Sequence, residues 1–143
     1  MPPSESAAGN WTPRLIELAG GQSGLATAGE HSGYVEPRAV RDFNPEVLIL
    51  APCGFDLPRT ILEAQALVNN PFWGHVAACQ SGRVFGLDGN AYLNRSGPRI
   101  VESLEILAHL LHPELVGPPP AAIRGQQQPW ARLVACDGRL IPA

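Results

Sequence analysis

The chain has 143 residues, 45% of them hydrophobic and 16% charged, with a formal net charge of -3. That length suits one domain with a core of its own, and the mild acidity and lack of any Lys/Arg run exclude a nucleic-acid footprint or steering to an anionic membrane. Apolar runs fall far short of the about 20 residues a membrane span needs, and three cysteines (Cys53, Cys79 and Cys136) without a CxxC pair indicate neither a structural zinc site nor a disulfide framework.

Residues 1–10 form a leader of small residues, Pro and Ser, expected to be disordered. It has no basic n-region and no apolar h-region, so a secretory signal is not expected and the chain as written is placed in the cytoplasm. Residues 12–19 predict a short helix, with Thr12 able to cap it and Pro13 suited to its first position. Gly20 and Gly21 end it, and residues 22–34 are Gly/Ser-rich loop. A second short helix is expected over 36–43, started near Pro37 and stopped by Asn44-Pro45. Residues 47–51 are continuously apolar, which predicts a strand buried on both faces. Pro52-Cys53-Gly54-Phe55-Asp56 leaves it.

Residues 58–68 predict an amphipathic helix with Ile61, Leu62, Ala64, Leu67 and Val68 on its apolar side. Residues 72–76 are expected to be a turn that packs two aromatics. A second strand is expected over 83–87, followed by a sharp turn at Asp88-Gly89-Asn90. Residues 98–111 give the best helix, with Ile100, Val101, Leu104, Leu107, Ala108 and Leu111 in one stripe. Residues 114–130 read as a Pro/Gln-rich linker. A strand over 131–136 and a hairpin turn at Asp137-Gly138 into 139–141 complete the chain. Helices alternating with buried strands predict an α/β layered domain.

Catalytic signatures are sparse: GxSxG, a P-loop, HExxH and GxGxxG are all missing from the sequence. His109 and His112 share a helix face, but the sequence places no third metal ligand beside them. An interaction with the helix C-terminus is the simpler expectation. His31, Ser32 and Cys53 assemble into no nucleophile–base pair from spacing alone, so an enzyme is not expected. The loops after the two strands carry more information. In open α/β sheets, ligands bind outside the carboxyl ends of strands, and there 52–56 and 88–95 offer aromatics, amides and a guanidinium. As structural residues, Asn90 and Asn94 would serve turns, Arg95 a local ion pair, and Phe55 and Tyr92 the core.

These segments also carry a resemblance. Trp11 to Gly21 is similar to the "W-x-P-x-L-x-x-L-A-G-G" segment of the cobalamin- and ferric-siderophore-binding proteins of ABC importers. Asn44-Pro45-Glu46-Val47-Leu48-Ile49 resembles that family's entry into a strand, and Pro52-Cys53-Gly54-Phe55 resembles the loop of its cobalamin branch. Gly82-Arg83-Val84-Phe85, Asp88-Gly89-Asn90, Arg95-Ser96-Gly97-Pro98-Arg99 and Leu111-His112-Pro113 follow in order. The likeness spans residues 11–113 and is to the family's C-terminal lobe.

The resemblance implies a three-layer Rossmann-like lobe with a mostly parallel sheet, one lobe of a normally bilobal, periplasmic binding protein. By position, Trp11, Phe55, Asn90, Tyr92, Asn94 and Arg95 would border the ligand cleft. The implied ligand is a corrinoid such as cobalamin, or a ferric siderophore; no cofactor is required. Implied partners are a separate N-terminal lobe, a permease or a second copy of the chain. A protein-interaction module that keeps the fold without the ligand is the alternative. Within these residues the family's first lobe, connecting helix and first strand of the second lobe have no counterpart, and Arg38 stands about where the family carries a permease-docking glutamate. The strand over 131–136 is expected to replace the absent strand beside residues 47–51, where an open apolar edge would otherwise invite aggregation.

Overall fold

Proline, asparagine and aspartate set most element boundaries. The computed structural model describes residues 6–68, 70–95, 97–120, 128–136 and 139–142. β1 (Ser6–Ala7) pairs antiparallel with β2 (Gly33–Tyr34). Between them lies α1 (Thr12–Leu18), with a proline in its first turn. Thr12 does not cap it. Trp11 holds the cap position without a side-chain bond, and Thr12 is buried as the first helical residue. α2 (Pro37–Phe43) ends at Asn44, whose left-handed backbone (φ 51°) closes the helix while its Oδ1 accepts from the Ala77 amide at 2.9 Å. β3 (Leu48–Leu50) leads to α3 (Leu57–Val68). A 3₁₀ helix (Pro71–His75) occupies most of the stretch expected to be a simple turn, and α4 (Ala77–Gln80), where no element was expected, follows it. β4 (Val84–Leu87), α5 (Gly89–Tyr92), α6 (Ile100–Leu111), β5 (Trp130–Cys136) and β6 (Arg139–Pro142) follow.

The fold is mixed α/β. Its main sheet has the order β3-β4-β5-β6. β3 and β4 are parallel, as the α3 crossover requires, with Ile49 opposite Phe85. β4 and β5 are antiparallel, and so are β5 and β6, which pair as a hairpin with Cys136 opposite Arg139. One ladder of three is parallel, so the expected mostly parallel sheet is not what forms. For β5 and β6 the reason is connectivity, because a hairpin reverses direction without a crossover. The tail strand expected beside residues 47–51 instead lies on the far side of β4, with Leu133 opposite Val84. The leader expected over residues 1–10 carries β1, and Asn10 and Glu30 are joined by a backbone bond of 2.5 Å. Residues 1–5, the 121–127 part of the linker and the turn residues 137–138 lie outside the described residues.

Period-two alternation splits the core between the two faces of the sheet. Leu87 and Trp130 join Leu15, Ile106, Leu107 and Leu110 of α1 and α6 on one face. Val84 and Leu133 join Val40, Ala64, Trp73 and Val76 on the other. Arg83 locks the C-terminus of α6 by donating from Nη2 to the Leu111 carbonyl at 2.7 Å, satisfying an acceptor the helix leaves open. No helix among the described residues is long and apolar enough to cross a membrane.

Candidate functional site

Two loops leave the carboxyl ends of the parallel pair. In the first, Gly54 adopts φ +78°, a backbone turn that glycine makes without a Cβ penalty. Asp56 then caps α3 by accepting from the Arg59 amide at 2.9 Å. In the second, the Asp88 carboxylate accepts from the Ala91 amide at 2.9 Å and so starts α5. Gly89 sits against the end of β3. A Cβ there would lie 2.7 Å from the carbonyl oxygens of both Ala51 and Pro52, so the approach requires glycine. The loops are then bonded to each other: Asn94 Nδ2 donates to the Pro52 carbonyl at 3.2 Å, and the Asn90 amide to the Phe55 carbonyl at 3.2 Å. Trp11 Nε1 donates to the Leu93 carbonyl at 3.1 Å, and Ser103 Oγ donates to the Tyr92 carbonyl, tying the unit to α1 and α6.

The six residues expected to border a cleft do not share one pocket. Trp11 and Asn94 line a groove of about 1320 Å³; Phe55, Asn90, Tyr92 and Arg95 do not. Asn90 and Arg95 are exposed, and Phe55 and Tyr92 half-buried. Two arginines that the sequence reading did not single out cover the aromatic rings. The Arg59 guanidinium stands 5.2 Å from the Phe55 ring centroid, and Arg99 stands 5.6 Å from that of Tyr92. The four-residue spacing of Phe55 and Arg59 at a helix start was the available signal for the first pair. Burial raises the Tyr92 pKa above its usual 10.0, with Arg99 opposing the shift.

The groove runs along β3 on the side away from β4. The Leu48 amide donates to the Arg83 carbonyl at 3.0 Å. This sets the parity of the strand: the backbone groups of residues 48 and 50 face β4, and those of Ile49 face the groove. Ala7 to Trp11 and Ser23 to Ala26 contribute the opposite wall. That wall is held by the β1–β2 pair and by the Gly9 amide, which donates to Ser32 Oγ at 2.9 Å. No single stretch of sequence announces the groove, because segments scattered from Ala7 to Glu114 build it.

Among the described residues no hydrogen bond joins a Ser, Thr or Cys side chain to a His, Asp or Glu side chain. His109 Nδ1 and His112 Nε2 lie 2.9 and 3.0 Å from the carbonyls of Val116 and Gly20, so both imidazoles serve backbone acceptors. Among the described residues no group of three or more His, Cys, Asp or Glu side chains is placed to hold a metal ion. Cys53 is exposed at the groove, and burial raises the pKa of the half-buried Cys79. No protein-family model matches the chain, and no curated protein matches it either.

Proposed function

We propose that the chain is a single-lobe relative of the substrate-binding proteins of ABC importers, a Rossmann-like lobe of three layers that binds a corrinoid or a ferric-siderophore-like chelate and catalyses nothing. One observation supports this reading above the others. The loops 52–56 and 88–95 are cross-bonded into a single surface at the carboxyl ends of β3 and β4, where open α/β sheets take ligands. That surface presents an exposed amide and guanidinium, Asn90 and Arg95, beside two half-buried rings, Phe55 and Tyr92. Such a mixture suits a large flat ligand rimmed by amides or carboxylates. The surface is open, so a separate N-terminal lobe or a second copy is needed to enclose the ligand, and the isolated chain binds weakly because half the burial is missing.

Absorbance titration with cyanocobalamin and with a ferric hydroxamate siderophore tests the reading. A saturable spectral shift with one of them, weakened at least tenfold in the Arg95→Ala and Asn90→Ala variants, is the expected result. No shift with either chelate at millimolar concentration would remove it. A second reading, a protein-interaction module without a small ligand, draws support from the open edge of β3.

A further inference from the structure

We infer that the groove beside β3 is a docking slot for an extended, apolar, basic-flanked segment of a partner polypeptide, which joins the sheet as an added strand. The groove meets the chelate surface at Pro52, Cys53, Leu93 and Asn94, but the inference rests on the edge of β3 and does not depend on chelate binding.

The first observation is a mismatch between composition and coverage. Val47 to Ala51 are apolar without interruption, the pattern of an interior strand. Edge strands are ordinarily blunted by a charge, a proline or a bulge, and β3 carries none of these. Yet Leu48, Ile49 and Leu50 are all only half-buried, while Val84 and Leu87 of the neighbouring strand are 3% and 0% exposed. The second observation is the backbone. Parity with β4 directs the N–H and C=O of Ile49 into the groove, and this donor–acceptor pair is complemented by another extended backbone.

Size and charge choose the occupant. The groove, at about 1320 Å³, exceeds the roughly 300–1,000 Å³ of small-molecule pockets, and five residues of β-strand span about 17 Å. A second copy of the chain is the competing occupant, and self-association in the test below identifies it. The charged groups along the groove are Glu46, Glu63, Glu114 and Arg83. Glu63 is paired with Arg59 at 2.6 Å, and Arg83 is committed to the carbonyls of α6. Arg83 keeps its positive charge, and Glu114 lies 3.8 Å from His112. Among the described groove residues the carboxylate without an ion pair is Glu46, at the start of β3, which favours a Lys or Arg flanking the incoming apolar segment.

The probe is a seven-residue peptide of alternating valine and threonine with a lysine at each end, added to the whole chain. Amide exchange by NMR and the fluorescence of the groove tryptophans report binding. Expected results are at least tenfold protection of the Ile49 amide, and at least tenfold weaker binding in Ile49→Pro, which deletes a groove-facing N–H at an edge position that tolerates proline. Should that variant fail to fold, a peptide N-methylated at its central residue makes the same test on the wild-type chain, and it is expected not to bind. Glu46→Gln is expected to weaken the lysine-flanked peptide several-fold and leave a serine-flanked copy unchanged. The inference is overturned by absence of Ile49 protection at millimolar peptide, by equal binding of the N-methylated peptide, or by self-association that Ile49→Pro abolishes. The chelate titration is read separately, so failure of one does not pass for failure of the other.

Discussion

β4 is flanked by two strands that finish the sheet in different ways. On one side β5 is seven residues long and is itself covered by β6. On the other, β3 is three residues long and its far edge lies open in the groove. Leu133 of β5 and Leu48 and Leu50 of β3 belong to the same hydrophobic cluster, and the chemistry of their side chains is identical. Leu133 is 1% exposed, whereas the two β3 leucines are half-buried members at the margin of that cluster. Burial here follows from how many neighbours the topology supplies, and composition alone does not determine it.

The largest expected effect tests that contrast directly. Leu133→Ala removes a fully covered side chain and leaves a cavity, with an expected loss of about 2–5 kcal/mol in urea unfolding. Leu48→Ala starts from a side chain that water already reaches, and its expected loss is less than half as large. Equal losses would mean that the groove is closed in solution and that the two flanks do not differ.

A smaller effect is expected where the open flank meets the loops. Gly89→Ala drives a Cβ into the carbonyl oxygens of Ala51 and Pro52, at an expected cost of about 1–3 kcal/mol from overpacking. Since the end of β3 must move to relieve the clash, the Asn94–Pro52 bond is expected to break, seen as loss of the distinct Asn94 side-chain amide signal. Next in size is Trp11→Phe. It keeps the ring but deletes the donor to the Leu93 carbonyl that joins the groove wall to the second loop, for about 1 kcal/mol. The same substitution is expected to speed amide exchange at Gly9 and Asn10 and not at Leu133. Uniform acceleration would mean that the wall is no separate unit.

Much of this was legible in the residues. α3 and α6 show helical periodicity, and Asn44, Asp56 and Asp88 sit at boundaries for reasons their side chains state. The 3₁₀ helix at Pro71–His75 and the four residues of α4 are too short for a period to register. α5 did carry a signal, an aspartate three residues before an amide it caps, but a turn explains the same residues equally well. Strand character over 131–136 was readable; which edge it takes was not, because pairing is decided by contacts distant in sequence. The same limit hid the groove. Val47 to Ala51 read alike whether the edge is covered or open. The candidate site was legible as two loops, and their cross-bonding through Asn94 and Gly89 emerged only when the strand ends were brought together.

The smallest expected effect separates two titrating groups placed on different sides of the sheet. Cys79 packs at the margin of the cluster that holds Leu133, and Tyr92 at the margin of the cluster under α6. Burial raises both pKa values, from 9.0 and 10.0, by disfavouring the charged form; for Tyr92, Arg99 works against the shift while Glu102 and Asp88 add to it. The folded state therefore holds each proton more tightly than the unfolded state does. The stabilisation is complete below the unfolded value and is lost as pH rises through the folded one. Stability is expected to begin falling near pH 9 through Cys79 and to fall further above pH 10 through Tyr92. The chain contains no lysine, so no ammonium titrates over the same range. Cys79→Ala is expected to flatten the first part of the decline and Tyr92→Phe the second, each measured by urea unfolding at successive pH values. If Tyr92→Phe leaves the upper part unchanged, the ring is solvated and the second loop stands further from α6 than its bond to Ser103 requires.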